Sequence, residues 1–255
     1  MEANENSQDF SLSGLRALVT GGGSGIGKAI AEAMKNAGAT VVVCDVNDSM
    51  KPNYVCDVSK TSDVTAMFKK IESELGGLDI LVNNGGVPGP TARVDAMSPD
   101  DYDECVRINL GGTFRCTNAA VPMLLKSRGS IINISTSAGI FGYPMRSPYV
   151  ASKWGIIGLT KSWAMELGAE GVRVNSICPG SVSGPRMDGV IEREAIATGA
   201  SAQKIRSGYE SQVSMKTFID ASDIAAAAVF LSSPASRFIT GQVLPVDGNT
   251  ETMRA

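Results

Sequence analysis

Short apolar runs rich in Val and Ile alternate along the chain with longer stretches in which apolar residues return every three or four positions. The short runs predict strands at residues 16–20, 40–45, 80–83, 130–135, 173–178 and 242–246, with a brief one at 53–55. The longer stretches predict helices at 26–37, 64–74, 99–126, 149–169 and 221–232. Several strands are apolar at nearly every position, as in a parallel sheet covered by helices on both faces. Strand and helix in regular turn give an α/β fold, a Rossmann-like doubly wound parallel sheet in three layers made of right-handed βαβ units.

One segment breaks this rhythm. Residues 181–220 mix polar and helical sequence, with Met187, Val190 and Ile191, then Ile205, Tyr209 and Val213, at helical spacing. Two short helices with polar outer faces are expected there, forming a substrate-binding lid, because long interruptions of a compact domain serve as lids or binding loops.

Length and charge then limit the kind of partner. A chain of 255 residues, 43% hydrophobic, suits a single nucleotide-binding domain over 1–255 with a polar extension at 1–12. The net charge of -3 comes from scattered residues of both signs, so there is no basic footprint for nucleic acid and no polybasic membrane signal. A small-molecule partner is favoured. Residues 1–11 lack the basic and apolar regions of a signal peptide, and no apolar run approaches the roughly 18 residues of a membrane span. A cytoplasmic protein is expected.

Cys44, Cys56, Cys105, Cys116 and Cys178 are widely spaced without a Cys-x-x-Cys pair, which predicts reduced core thiols and no metal site. Histidine is absent altogether, so Ser-His-Asp triads, Cys-His dyads and His-rich zinc sites are excluded. Acid/base chemistry near neutral pH has to use another group.

The sequence Thr20-Gly21-Gly22-Gly23-Ser24-Gly25-Ile26-Gly27 follows a predicted strand and opens a predicted helix. Backbone N–H groups and the helix dipole at such a junction can hold a pyrophosphate, with Gly21, Ser24, Gly25, Ile26 and Gly27 as its binding residues. The spacing departs from the Gly-x-Gly-x-x-Gly fingerprint. The next strand ends in Asp45, about 20 residues on, where a carboxylate can accept both ribose hydroxyls and repel a 2'-phosphate. With no Arg in the glycine loop or just after Asp45, NAD(H) is favoured over NADP(H). Asp57 and Val58, and then Asn84 and Gly85, fall at the carboxyl ends of the following strands, on the edge where open α/β sheets bind ligands.

Farther on, Tyr149-Val150-Ala151-Ser152-Lys153 places a phenol and an ammonium at i and i+4 on one helix face. A neighbouring cation favours the ionised phenol and lowers its pKa from the ordinary value of about 10.

These elements in this order, from Thr20 to Gly27 through Asp57, Asn83 to Gly86, Asn109, Asn133 to Gly139 and Tyr149 to Lys153, on to Pro179-Gly180, resemble the short-chain dehydrogenase/reductase family over nearly the whole chain. The resemblance implies hydride transfer between a carbinol carbon and nicotinamide C4, with Tyr149 moving the hydroxyl proton and Lys153 holding the nicotinamide ribose. It implies that Asn109 anchors a water in the proton relay, that backbone at Val182 holds the carboxamide, and that the enzyme is a homotetramer. Apolar residues on more than one face of helices 99–126 and 149–169 agree with such assembly.

The sequence departs from the family at three points. Where serine usually orients the substrate oxygen, the frame of Asn133-Ile134-Ser135-Thr136-Ser137-Ala138-Gly139 puts Thr136, with Ser137 as the rival. Gly184 replaces a frequent threonine near the carboxamide, and Gly85 stands where alanine is usual. Arg146, just before Tyr149, and Arg186, at the entrance to the lid, are candidates to meet a carboxylate, sulfonate or phosphate; surface arginines are the plainer alternative. The resulting expectation is NAD-dependent oxidation of a small polar alcohol: a polyol, sugar or hydroxy acid. The alternatives are a carbonyl or 3-oxoacyl reductase working in the reductive direction, and a non-catalytic nucleotide-binding sensor.

Overall fold

The computed structural model describes residues 10–252. Seven parallel strands form one sheet: β1 (Arg16–Thr20), β2 (Thr40–Asp45), β3 (Tyr54–Val55), β4 (Ile80–Asn83), β5 (Ser130–Ile134), β6 (Arg173–Pro179) and β7 (Val243–Val246), in the order β3-β2-β1-β4-β5-β6-β7. The winding reverses between β1 and β4, which opens a crevice at their carboxyl ends. The predicted fold class holds, and all seven predicted strands are present with ends shifted by two residues or fewer.

Helices α1 (Gly25–Asn36), α2 (Thr61–Leu75), α3 (Pro99–Ser127), α4 (Ser147–Leu167) and α7 (Ala221–Ser232) cover the sheet, and α5 (Pro185–Thr198) and α6 (Ala202–Ser211) are the two short helices expected after β6. Strand side chains alternate between two cores. Leu18, Val42, Leu81, Ile131 and Val174 pack with residues of α2, α3 and α4, whereas Ala17, Val19, Val41, Val82, Ile132 and Ile177 pack with α1 and α7. Strand register fixes the first row: Leu18 opposes both Val42 and Leu81, Leu81 opposes Ile131, and Ile131 opposes Val174.

Two expectations need adjustment. The polar extension drawn over 1–12 overlaps the core: Leu12 is fully buried and donates its N–H to Ala37 O at 2.8 Å. Residues 1–9 lie outside the described residues. In addition, α4 begins at Ser147, with Pro148 in its first turn, so that Arg146 occupies the position just before the helix. All five cysteines are free and buried. No helix of the described residues is long and apolar enough to cross a membrane.

Candidate active site

The crevice begins with the glycine turn after β1. Gly25 has φ +51°, and a Cβ there would meet no heavy atom within 4 Å, so this backbone faces open space. Gly27 has the opposite constraint: a Cβ would lie 2.2 Å from Gly21 O and 2.4 Å from Asn84 Nδ2. The first turn of α1 is thereby seated directly on the loop. Ser24 precedes the helix, and its hydroxyl makes no capping bond. The first-turn N–H groups of α1 therefore have no side-chain cap at Ser24, a geometry suited to an anion.

Asp45, at the end of β2, turns its carboxylate to this loop and accepts the N–H of Gly23 at 3.2 Å and of Asn47 at 3.0 Å. Asn84 closes the other side: its Nδ2 donates to Thr20 O and Gly21 O, both at 3.0 Å, while Thr20 Oγ1 accepts the N–H groups of Asn84 and Gly85. Glycine turn, Asp45, Asn84 and Gly85 are thus one connected rim. Asp57 is committed locally, accepting the Ser59 hydroxyl at 2.6 Å, a bond that with Lys60 and Arg107 nearby holds its carboxyl below the usual range despite opposing burial. Val58 sits against Gly112 of α3.

Across the crevice, the first turns of α4 carry Tyr149 and Lys153. Lys153 is buried and donates its Nζ to Ile134 O at 2.8 Å, lying 5.8 Å from the centre of the Tyr149 ring. β5 ends at Ile134, and the chain enters a 3-10 turn over Ser137–Gly139. This turn separates the three hydroxyls. Ser135 donates to Lys153 O at 3.0 Å, Ser137 donates to Asp247 Oδ2 at 2.8 Å, and Thr136 donates to Pro179 O at 3.3 Å with its hydroxyl on the Tyr149 side, where it helps lower the phenol pKa.

Burial would raise the Tyr149 phenol, but Lys153, Arg186, Arg146 and the Thr136 hydroxyl outweigh it, and the pKa falls below the ordinary tyrosine value. Lys153 is itself lowered, by burial first, with Tyr149 pulling the other way. A phenol with a lowered pKa, on the carboxyl edge of the sheet that also carries the glycine turn, is suited to proton exchange with an alcohol.

Three comparisons with known proteins bear on the family of the chain. A family model described as enoyl-(acyl carrier protein) reductase matches residues 21–249. The 3-oxoacyl-(acyl-carrier-protein) reductase of Thermotoga maritima is 34% identical over 93% of this chain and 98% of its own. The D-beta-hydroxybutyrate dehydrogenase of Cupriavidus necator is 35% identical over 93% and 98%. The chain belongs to the short-chain dehydrogenase/reductase family. Among solved structures, an NAD+-bound xylitol dehydrogenase superposes with a TM-score of 0.88 at 28% identity, covering 92% of this chain and 98% of that one. This dehydrogenase/reductase interconverts hydroxyl and carbonyl groups.

Not every residue singled out in the sequence joins the cluster. Asn109 is buried in α3 and clamps the loop after β4, accepting Val87 N–H at 2.8 Å and donating to Val87 O at 3.0 Å; its own carbonyl accepts the Thr113 hydroxyl. α3 runs unbroken through it. Val182 forms an isolated bridge with Ile219, made through Ser181 O and Ser183 N, which turns its own N–H and C=O to the opposite side. Arg186 is exposed, with Nη1 3.4 Å from Gly86 O. Arg146 is only 4% exposed, and the surface reading of it fails.

The dehydrogenase/reductase also holds residues whose polar contacts periodicity could not show. Glu194 of α5 is buried and accepts the Tyr209 hydroxyl of α6 at 2.6 Å, and that hydroxyl also meets the hydroxyl of Tyr143 from the loop before α4. In the sequence, Tyr209 shows only helical apolar spacing, and Glu194 looks like any helix-surface acid. Asp247, after β7, is the other such residue, as the partner of Ser137.

Proposed function

We propose that this enzyme is an NAD(H)-dependent dehydrogenase of small polar secondary alcohols, with Tyr149 as general acid/base. The observation that carries the reading is the Tyr149–Lys153 pair, fixed by Ile134 O at the end of β5, on the same sheet edge as the glycine cradle and Asp45.

In this reading the turn from Gly21 through Ser24, Gly25 and Ile26 to Gly27 holds the pyrophosphate. Asp45 takes the adenine ribose, and Asp57 and Val58 border the adenine. Asn84 and Gly85 line the middle of the crevice, Tyr149 and Lys153 take the nicotinamide ribose, and the outward backbone of Val182 takes the carboxamide. When bound, nicotinamide supplies the carbon that accepts or gives hydride. Thr136 donates to and orients the substrate oxygen. Tyr149 removes its proton in oxidation and returns it in reduction. Lys153 keeps the phenolate accessible near neutral pH, and Asn109 anchors the relay behind it through the Val87 loop. The segment 181–220, with α5 and α6, closes over the reacting carbons.

NAD(H) is favoured because Asp45 faces the loop, and because the superposing xylitol dehydrogenase is an NAD+ complex. A polar substrate is favoured by Arg146 and Arg186 near Tyr149 and by relatives named for hydroxybutyrate and xylitol. The Thermotoga relative, named a reductase, supports the reductive direction as a second reading. A homotetrameric, cytoplasmic enzyme completes the proposal, with exposed Phe114 of α3 and Trp154 and Met165 of α4 as interface residues.

The test is NAD+ reduction across polyols, sugars, hydroxy acids and apolar secondary alcohols, with Tyr149→Phe as the control and light scattering for assembly. Turnover confined to polar alcohols and lost in the variant is expected. Activity only on apolar alcohols sinks the substrate class, and an unchanged rate in Tyr149→Phe sinks the mechanism.

A further inference from the structure

The loop before α4 places a second cation at the site, and its surroundings are unusual. The Arg146 guanidinium carbon lies 5.1 Å from the Tyr149 ring centre and 5.4 Å from that of Tyr143, so the group is held between two aromatic rings. Nη2 donates to Pro88 O at 2.5 Å, and Nε is buried with no hydrogen-bond partner. No carboxylate lies within ion-pair distance of Arg146 among the described residues. The acid that faces it, Glu194 of α5, is occupied by the Tyr209 hydroxyl.

A guanidinium that is buried, unpaired and short of one acceptor is costly to keep. It shares with Lys153 and Arg186 in lowering the Tyr149 pKa, and Lys153 is the larger of these contributions. What Nε lacks is an acceptor, and the group that carries it packs against the ring of Tyr149. Its planar fork suits two oxygens of one oxyanion, which Lys cannot match in geometry. The distance to the Tyr149 ring allows only a few bonds between that oxyanion and a carbinol at the phenol.

We propose that Arg146 is the anchor for a substrate oxyanion, a carboxylate or sulfonate, so that the alcohol oxidised is a short hydroxy acid or its sulfonate counterpart. This rests on Tyr149 as the acid/base. The Glu194–Tyr209–Tyr143 chain ties the lid to the anchor: Tyr209 of α6 bridges Glu194 of α5 and Tyr143, whose ring lies against the guanidinium. Arg186, exposed at the start of α5, adds positive charge on the solvent side.

Two measurements on the full-length enzyme test the anchor. The first compares 3-hydroxybutyrate with 3-hydroxybutyramide, which differ only in charge, in wild type, Arg146→Gln and Arg146→Lys. Wild type should favour the acid by about 100-fold in kcat/KM, and in Arg146→Gln the acid-to-amide ratio should fall close to one, mainly through a rise in KM for the acid. Arg146→Lys should restore part of it. The second needs no turnover and no variant: calorimetric titration of wild type with propanoate, methanesulfonate and propanamide. Binding of one or both anions and not the amide is expected, and it shows which oxyanion fits.

Equal use of acid and amide by wild type, an equal fall of both in Arg146→Gln, or equal binding of propanoate and propanamide overturns the anchor. If Arg146→Gln fails to fold, by circular dichroism, the wild-type comparison and the titration decide. Failure of the mechanism looks different: there Tyr149→Phe keeps full turnover while the anion still binds.

Discussion

Lys153 stands one helical turn beyond Tyr149 and is tied by its ammonium to Ile134 O at 2.8 Å, so the cation that acts on the phenol is fixed by the end of β5. The bond explains how a buried lysine keeps one orientation. It also gives the pair a measurable dependence on pH.

Alcohol oxidation needs the phenolate, so kcat/KM should rise with pH through the Tyr149 pKa and level off above it. That pKa is lowered, chiefly by Lys153 acting against burial. Lys153→Met should move the rising limb to higher pH by about one unit or more, each unit being about 1.4 kcal/mol. A pH profile of kcat/KM checks this, and an unmoved limb would show that Lys153 does not tune the phenol.

The three hydroxyls after β5 should separate cleanly. Thr136→Ala should lower kcat by about 100-fold, as for loss of one oxygen-binding donor, and Thr136→Ser should recover most of it. Ser137→Ala breaks the buried bond to Asp247, so it should cost about 1 kcal/mol of stability with turnover near normal. Steady-state kinetics beside thermal melts would reveal the reverse pattern if Ser137 served the substrate.

Asp45 should decide between the two dinucleotides. Asp45→Ala removes a carboxylate from the loop at Gly23, and NAD+ should lose about 10- to 100-fold in kcat/KM while NADP+ gains. The ratio of the two specificity constants is the readout; a ratio that stays constant counts against Asp45 as the selector.

A stability effect is expected far from the site. Asp79 accepts Arg16 Nε at 2.7 Å and Nη2 at 3.0 Å. Burial pushes the Asp79 carboxyl up, but the Arg16 bonds outweigh it and hold the pKa below the ordinary carboxylate value. The folded state therefore gains from this group above the unfolded pKa of about 4 and loses the gain as pH falls through the lower folded value. Asp79→Ala should destabilise by about 1–3 kcal/mol at neutral pH. Denaturant melts should show the gap narrowing in acid; a gap independent of pH would refute the linkage.

What could be read along the chain was whatever depends on nearby residues. Tyr149 and Lys153 are four apart on one helix, the glycine turn and α1 are contiguous, and the apolar strands declare a sheet buried on both faces. Such relationships follow from the helical and strand repeats, which any chain obeys. Thr136 was harder, because alternation along a strand stops where β5 stops at Ile134, and the 3-10 turn assigns Ser137 to Asp247, more than a hundred residues away.

Sequence by itself determined the fold class, the glycine turn between β1 and α1, the strand-end place of Asp45 and the shared helix face of Tyr149 and Lys153, since each is encoded within a turn, a helix face or a strand end. Only the tertiary structure decided that Leu12 belongs to the core and that Arg146 is a buried cation. Only it brought Glu194, Tyr209 and Tyr143 together from separate elements. The physical reason is that burial and pairing of a charge depend on what packs over it. Arg146 is covered by rings and a loop whose positions are set by the sheet and the lid, and no local pattern around residue 146 records them.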